Sequence, residues 1–438
     1  MRILIDTVYL LLGVAISPVV AYRMARQGRY RIGWAQRFGK ISRRHPEKKC
    51  IWLHAVSVGE VNATKTIIKE LKNRLPDYEI LISTTTDTGF VAASKLYGDE
   101  HCVIFFPLDL SCIMQRAFSN IKPAVCLLME LEVWPNFLHI ADRLNVPVVV
   151  VNGRISPKSF AGYKKIAPIS KKFFSRISLV LAQNELYAER FRQVGTAAEN
   201  VIVTSSLKYD TAQISDKIDG SDALTQQLNI GDSPLLVAGG TGNDEEKIIL
   251  DAYKAVIKQF ADLRLVIVPR KPERFDEVAD LIGQYGFDFV RYSRIKETNE
   301  TISDKPPVIL GDTMGDLRKF YSLATVIYVG RSLVPMGGSD MIEAAALGKC
   351  TIFGPHTFNF PTAAEELIKD KGALLVGTGS ELAQAVQKCL AEPDYARQIA
   401  ANGREIIKRN QGATERSIHE IQKLLMQPER KNNIQNNL

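Results

Sequence analysis

Short apolar runs recur along the chain, separated by longer amphipathic stretches. In the first half they are IWLHAV, EILIST, CVIFFP, AVCLLM, VPVVVVN, SLVLAQ and VIVTSS. Brief apolar runs bounded by turn-forming residues read as strands buried on both faces. Between them, stretches such as Val61 to Arg74 carry apolar residues at helical spacing. Strand and helix thus alternate from Lys49 to about Ser205, which predicts βαβ units and a parallel sheet covered by helices. A polar stretch from Lys208 to Asp232, with Asp216, Asp219, Gly220, Asp222 and Gly231, reads as a linker. The pattern restarts with PLLVAGG, LRLVIVP, PVILGD, TVIYVG and CTIFGP. The expectation is an α/β chain of two doubly wound, Rossmann-like domains, one at 49–207 and one at 233–426, joined by a linker at 208–232. The second would include terminal helices near Asp394 to Lys408 and Thr414 to Met426, and the polar tail 427–438 reads as disordered. Ligands in open α/β sheets bind outside the carboxyl ends of the strands, so two such domains facing a cleft would set a donor against an acceptor.

The N-terminus follows a different pattern. No charge occurs from Thr7 to Tyr22, and with Ile3 to Ile5 the apolar stretch approaches the roughly 20 residues that cross a hydrocarbon core. Asp6 interrupts it. A basic cluster follows the run rather than preceding it, unlike a cleaved secretory signal. The positive-inside tendency puts Arg23, Arg26, Arg29, Arg31 and Arg37, and everything downstream, on the cytoplasmic side. Residues 1–22 are therefore expected to be an anchor, spanning or lying in the cell inner membrane, and 23–48 a basic juxtamembrane segment. Between Arg23 and Arg44 there are eight Lys or Arg and no acid. Tyr30, Trp34 and Phe38, at four-residue spacing, would set aromatic rings on one helix face among anionic headgroups. The alternative is an N-terminal helix packed on the first domain. No nucleic-acid-binding motif accompanies the basic cluster, so nucleic acid is not an expected partner.

Composition alters this picture little. A chain of 438 residues with 46% hydrophobic and 24% charged residues is long enough for two ordinary domains. The six cysteines are scattered, with no C-x-x-C pair, which points to a reducing compartment and no structural zinc. A net charge of +8 suggests an anionic partner. HExxH, GxSxG, GxxxxGK[ST] and D-x-D patterns are missing, which speaks against zinc hydrolases, serine esterases, P-loop ATPases and metal-dependent sugar transferases. What remains is a transfer that uses no metal or cofactor and relies on a carboxylate base.

Several strand ends carry candidate chemistry. In HAVSVGE, Glu60 sits at a helix start, where it is either a base kept ionised by the helix dipole or the second half of a capping box begun by Ser57. In MELEVWPN, Glu130 and Glu132 share a face if the chain stays extended, or are solvated acids before the helix that Pro135 starts. Arg154 in VNGRISPKSF holds a carboxylate or phosphate, or belongs to a basic face with Lys158, Lys164 and Lys165. AGGTGNDEE is a Gly-rich turn of the kind that cradles phosphate, but Asp244, Glu245 and Glu246 would repel one. VPRKPERF offers Arg270 and Lys271, ILGDTMGDL and GRSLVPMGGSDMIEAAALG offer glycines for close approach of a nucleotide, and Glu343 could accept both ribose hydroxyls.

In order, HAVSVGE, STTTDTG, FPLD, MELEVWPN, VNGRIS, SLKYD, VPRKPERF, LGDTMGDL, GGSDMIEAAALG and GPHTFNF resemble the succession seen in 3-deoxy-D-manno-octulosonic acid (Kdo) transferases, from the anchor to about residue 370. The resemblance implies a GT-B glycosyltransferase that moves Kdo with inversion from CMP-Kdo to a lipid A precursor, lipid IVA, in lipopolysaccharide inner-core synthesis. It implies Glu60 as general base, Glu130 and Lys208 as stabilisers of the transition state, and Pro269, Arg270, Thr313, Met314, Gly315, Asp316, Asp340, Met341, Ile342 and Glu343 as the CMP-binding segments. Where the family shows GGHNPLE, this chain has Gly337-Gly338-Ser339-Asp340-Met341-Ile342-Glu343. The glutamate and glycines persist, while Asp340 adds a negative charge near the expected phosphates. The rival readings are a nucleotide-sugar epimerase of the same architecture and a membrane-bound nucleotide-sugar binder without turnover.

Overall fold

The computed structural model describes residues 2–28, 30–216, 218–298, 301–302 and 307–426. Arg29 of the basic cluster and the tail 427–438 lie outside the described residues. Two compact units divide the chain: Met1–Thr211 together with the chain from Gln411 onward, and Ala212–Asn410.

Among the described residues, the first unit contains β1 (Lys49–His54), β2 (Tyr78–Thr84), β3 (Cys102–Phe105), β4 (Pro123–Met129), β5 (Val148–Gly153), β6 (Leu179–Ala182) and β7 (Val201–Val203). They form one parallel sheet in the order β3-β2-β1-β4-β5-β6-β7. Each falls on one of the apolar runs, and alternation explains why the runs are continuous. Trp52, Leu81, Cys126 and Val150 point into a layer with Phe106, Phe118 and Phe137. Ile51, Leu53, Leu127 and Val149 point the other way, onto Ile67 and Leu71 of the helix Lys65–Arg74. Both faces are dry, so the middle positions of the strands are apolar in succession.

The second unit repeats the design with β8 (Leu235–Thr241), β9 (Arg264–Pro269), β10 (Phe289–Arg291), β11 (Val308–Leu310), β12 (Val326–Val329), β13 (Cys350–Phe353) and β14 (Leu374–Leu375). Its parallel order is β10-β11-β9-β8-β12-β13-β14. β10 and β14 were not among the apolar runs because they are two or three residues long and partly exposed at the sheet edges. In each sheet the winding reverses once in its middle, between β1 and β4 and between β8 and β12. Diverging loops open a crevice at such a reversal, which is where ligands of this fold class bind.

Three expectations change. The stretch read as a linker is partly helical, with Leu207–Thr211 in the first unit and Ser221–Gln227 in the second. The last helix, Ala413–Met426, belongs to the first unit: Ile418 and Ile421 are fully buried against that unit's β1 layer. The aromatic ladder is not one helix face either. Gly28 and Gly33 adopt left-handed conformations and Tyr30 has φ 58°, so the helix here is only Trp34–Arg37, with Trp34 and Phe38 rings 5.8 Å apart.

The basic segment is also less free than its composition suggests. Arg37 is buried against the Phe105 ring, Arg43 bonds the Glu79 carboxylate at 2.7 Å, and Arg44 donates its backbone N–H to the same carboxylate. The N-terminal helix, Arg2–Gln27, is long and apolar enough to cross a membrane, and Val8, Leu11, Val14, Ile16 and Val19 are exposed on it.

Candidate active site

In the first unit the reversal between β1 and β4 brings the candidate acids together. β1 ends at His54, and Ser57 caps the short helix Val58–Ala63 by accepting the Glu60 N–H at 3.4 Å. The Glu60 carboxylate accepts the Val56 N–H at 2.7 Å and the Ser57 hydroxyl at 3.1 Å. The carboxylate thus reaches one residue past the cap, a variant of the expected capping box that does not disqualify Glu60 from chemistry. Burial raises the Glu60 pKa to about 7; the Val56 N–H opposes the rise, Glu130 adds to it, and Ser57 and Lys208 moderate it. A carboxylate tuned near neutrality and held by two donors suits a general base.

β4 ends at Met129, and the backbone turns sharply at Glu130, whose φ is 56°. The extended arrangement expected for Glu130 and Glu132 is thus not adopted. A left-handed non-glycine residue costs of order 1 kcal/mol or more and persists only where its surroundings impose it. Here Glu130 donates its N–H to the Val151 carbonyl at 2.9 Å, and its carbonyl accepts the Arg154 N–H at 3.4 Å. Glu132 accepts the Trp134 indole N–H at 2.9 Å, and its pKa is raised to about 7, chiefly by burial, with Glu60 and Glu130 contributing after the Trp134 bond opposes it. Glu130 and Lys208 both act on Glu60, the first disfavouring and the second favouring its charge. Arg154 is tied to the same turn through its backbone and is half-buried.

Asn152, at the end of β5 with φ 57°, went unnoticed in the sequence. Its side-chain oxygen accepts the Leu207 N–H at 3.1 Å and the Ser206 hydroxyl at 3.3 Å, fixing the start of the helix that carries Lys208. Asp210 of the SLKYD motif works from the other end, accepting the Gly412 and Thr414 N–H groups at 2.7 and 2.5 Å. Asp109 of FPLD accepts the Asn136 and Phe137 N–H groups at 3.0 and 2.7 Å, starting the helix after Pro135.

In the second unit the reversal lies between β8 and β12. The strands approach so closely that a Cβ on Gly330 would lie 2.6 Å from the Thr241 backbone. Glu245 and Glu246, expected to repel a phosphate, are fully buried and turned inward. Glu245 accepts the N–H groups of Arg331, Ser332 and Leu333 and the Tyr328 hydroxyl, while Glu246 pairs with Arg274 at 2.6 Å. Arg270 follows buried Pro269, is exposed, and is set against β8 by its N–H bond to the Thr241 carbonyl. Arg331 lowers its own charge preference through burial and then through the proximity of Arg270. Its Nε is buried without a hydrogen-bond partner in the structure. Two neighbouring guanidinium groups, one with an unused donor, are chemistry that can bind an anion.

The remaining predicted nucleotide residues divide by where their side chains go. Asp316 is buried; burial works against its charge, but Lys296, Lys319 and Thr313 outweigh it and bring its pKa to about 2. It is a brace for its loop, leaving exposed Met314 and the left-handed Gly315 at the surface. Met341 and Ile342 put their side chains in the core, so only their backbone can face a ligand. Asp340 caps its helix by accepting the Ile342 and Glu343 N–H groups at 2.9 and 3.3 Å, so its charge is matched to helix donors rather than left facing a phosphate. Ser339 donates its hydroxyl to the Gly240 carbonyl at 2.7 Å, tying the altered loop to the glycine turn. Glu343 is half-buried; burial and then Asp340 raise its pKa to about 7, with Arg318 and Arg270 opposing.

A carboxylate cluster at the reversal of one sheet and two neighbouring arginines at the reversal of the other are chemistry suited to a group-transfer enzyme of the doubly wound class. A glycosyltransferase from Rickettsia africae shares the fold with a TM-score of 0.58 at 15% identity, over 87% of this chain and 99% of that one, which gives the GT-B class. Residues 32–211 match the model of 3-deoxy-D-manno-octulosonic-acid transferase (kdotransferase). The chain is 35% identical to the 3-deoxy-D-manno-octulosonic acid transferase of Haemophilus influenzae, over 89% of this chain and 90% of that protein. It is 30% identical to that of Bordetella pertussis, over 95% and 98%. The chain belongs to the Kdo transferase family and is a glycosyltransferase, which sets aside the epimerase and the non-catalytic binder.

Proposed function

We propose that the chain transfers Kdo from CMP-Kdo to the lipid A precursor lipid IVA with inversion, and that Glu60 is the general base. The observation that carries this is the Glu60 carboxylate, set at the β1–β4 reversal, raised to about 7 and oriented by Val56 and Ser57. Glu60 takes the proton from the attacking sugar hydroxyl as the new bond forms at the anomeric carbon of Kdo. The bond from that carbon to the CMP phosphate breaks, and Arg270 and Arg331 receive the charge left on the phosphate. Glu130 and Lys208 stabilise the charge of the transition state, and Glu343 takes the ribose hydroxyls. The TMGD stretch from Thr313 to Asp316 and the segment from Asp340 to Glu343 complete the CMP site through backbone groups.

The N-terminal helix anchors the protein in the inner membrane, with both units in the cytoplasm and anionic lipids around the basic segment. Of the two anchor geometries, ties at both of its ends support the one lying in the interface. Asp6 accepts the Ser111 and Asn136 N–H groups at 2.9 Å, while past the other end Tyr30 donates its N–H to Asp87 at 2.9 Å. A spanning helix would carry Asp6 about 30 Å away, across the hydrocarbon core.

The test is CMP release from CMP-Kdo by the purified protein with lipid IVA. Turnover should fall as the pH drops below about 7, because protonation removes the base. Glu60→Gln should lose about two to four orders of magnitude in kcat with little change in KM for either substrate. Near-normal turnover in that variant removes Glu60 as the base, and no CMP release by the parent protein removes the donor assignment.

A further inference from the structure

His54 is fully buried, and its ring stacks on Phe106 with centroids 3.9 Å apart. Its Nδ1 lies 3.0 Å from the Ser83 carbonyl, which can only accept, so Nδ1 carries the hydrogen and Nε2 presents a lone pair. That Nε2 is buried, has no hydrogen-bond partner in the structure, and faces the Glu132 carboxylate oxygen at 3.8 Å. Burial drives the ring's pKa down to about 3, so it does not become a cation to match an ionised Glu132. An ionised carboxylate facing a buried lone pair is unfavourable, whereas a carboxylic acid facing one can donate to it after a small turn of the side chain.

The two raised carboxyls at the β1–β4 reversal therefore differ in what surrounds them. Glu60 receives two donors, Val56 N–H and the Ser57 hydroxyl, with Lys208 close enough to favour its charge. Glu132 receives one donor, the Trp134 indole, and faces an acceptor. The other titratable groups that act on Glu132 are Glu130, from the turn after β4, and Glu60 itself, both of which disfavour its charge; the nearby Tyr163 phenol is held neutral by burial.

We propose that Glu132 is a positioning residue that works as a neutral acid, hydrogen-bonded to His54 Nε2, and thereby keeps the proton shared by the carboxylate cluster off Glu60. The proposal rests on the reading of Glu60 as base and names what sets its charge state. Glu132 Oε2, which faces His54 and accepts the Trp134 N–H, carries the hydrogen and donates it to His54 while a lone pair still accepts the indole N–H, and Glu60 stays ionised at pH values where two adjacent carboxylates could not both be so.

The experiment compares pH–kcat profiles of CMP release for the parent, Glu132→Gln, His54→Phe and the double variant, with infrared difference spectra of the same proteins. Glutamine is neutral and, with its NH2 group in the place of Oε2, donates to Nε2. Glu132→Gln should keep kcat within about threefold above neutral pH and leave the acid limb in place. His54→Phe keeps an aromatic ring on Phe106 but removes the lone pair, so the proton moves to Glu60 and the acid limb rises by about one pH unit, a tenfold loss near pH 6. Adding Glu132→Gln to His54→Phe should return the limb to its original place, which no loss of packing would do. A protonated-carboxyl band present in the parent and in Glu60→Gln near neutral pH should vanish in Glu132→Gln.

An acid limb that moves down in Glu132→Gln means that Glu132 is ionised in the working enzyme and overturns the proposal. So does a double variant no better than His54→Phe, or a carboxyl band that survives Glu132→Gln. The infrared readout does not depend on turnover, so a failure of Glu60 as base, seen as activity in Glu60→Gln, stays separate from a failure of Glu132 as acid.

Discussion

Arg331 shows how a single side chain acquires a role from its surroundings. Its backbone N–H is held by Glu245 and its guanidinium donates to the Met336 carbonyl at 3.0 Å, which leaves the buried Nε over. Arg270 nearby makes the position electrostatically unfavourable until an anion arrives. A charged hydrogen bond to that anion is worth about 1.5–3 kcal/mol, or roughly 10- to 150-fold in affinity. Arg331→Met should therefore weaken CMP binding, measured by calorimetry, by about that factor, and Arg331→Lys should recover only part of it because the lysine lacks the planar fork. Equal CMP affinity in Arg331→Met and the parent would assign the arginine to loop structure alone. The sequence held little warning of this: Arg331 stands in a strand-end GRS that looks like many others, whereas Arg270 was conspicuous beside Lys271 and a proline. Asn152 was overshadowed by Arg154 for the same reason, since a hydrogen-bond acceptor for another loop's backbone leaves no local pattern. His54 was legible only as a polar residue within the run IWLHAV, because a bare Nε2 is a property of the partners around it.

At the scale of elements, periodicity carried most of the fold. Two dry faces per sheet force continuous apolar runs, and those runs are visible without any long-range information. The edges of the second sheet were not, because β10 and β14 are too short and too exposed to differ from loop. Nor was the destination of the last helix. An amphipathic helix announces which side is apolar, not which sheet it covers, and Ala413–Met426 crosses back to the first unit. Its first turn is secured by Asp210, its arginine-bearing face by Arg416 donating to the Thr204 carbonyl at 3.0 Å, and its apolar face by Ile418 and Ile421. Ile418→Ala should cost the first unit about 2–5 kcal/mol, the usual range for emptying a packed site. Denaturant unfolding followed by Trp52, in that unit's core, is the measurement; a midpoint equal to that of the parent would mean the helix is not part of the cooperative unit.

At the scale of the whole molecule, composition and structure give different weight to the N-terminal segment. By composition it is an apolar run followed by a basic cluster, and that pattern suits a spanning anchor and an interfacial one equally. The ties of Asp6 to Ser111 and Asn136, and of Tyr30 to Asp87, favour the interfacial geometry proposed above, because they hold both ends of the helix to the first unit. In that proposed geometry Asp6, which interrupts the apolar run in sequence, fastens the helix rather than being carried through lipid. An epitope placed before Met1 should therefore resist protease added to intact spheroplasts and be cut once the membrane is opened. A spanning helix gives the opposite result, with the epitope removed from outside. Asp6→Leu would extend the uncharged stretch to about the full thickness of the hydrocarbon core and release the tie together. In that variant a fraction of the epitope should become sensitive from outside, and catalytic units that remain protected would show that the change is one of helix topology and not of leakage.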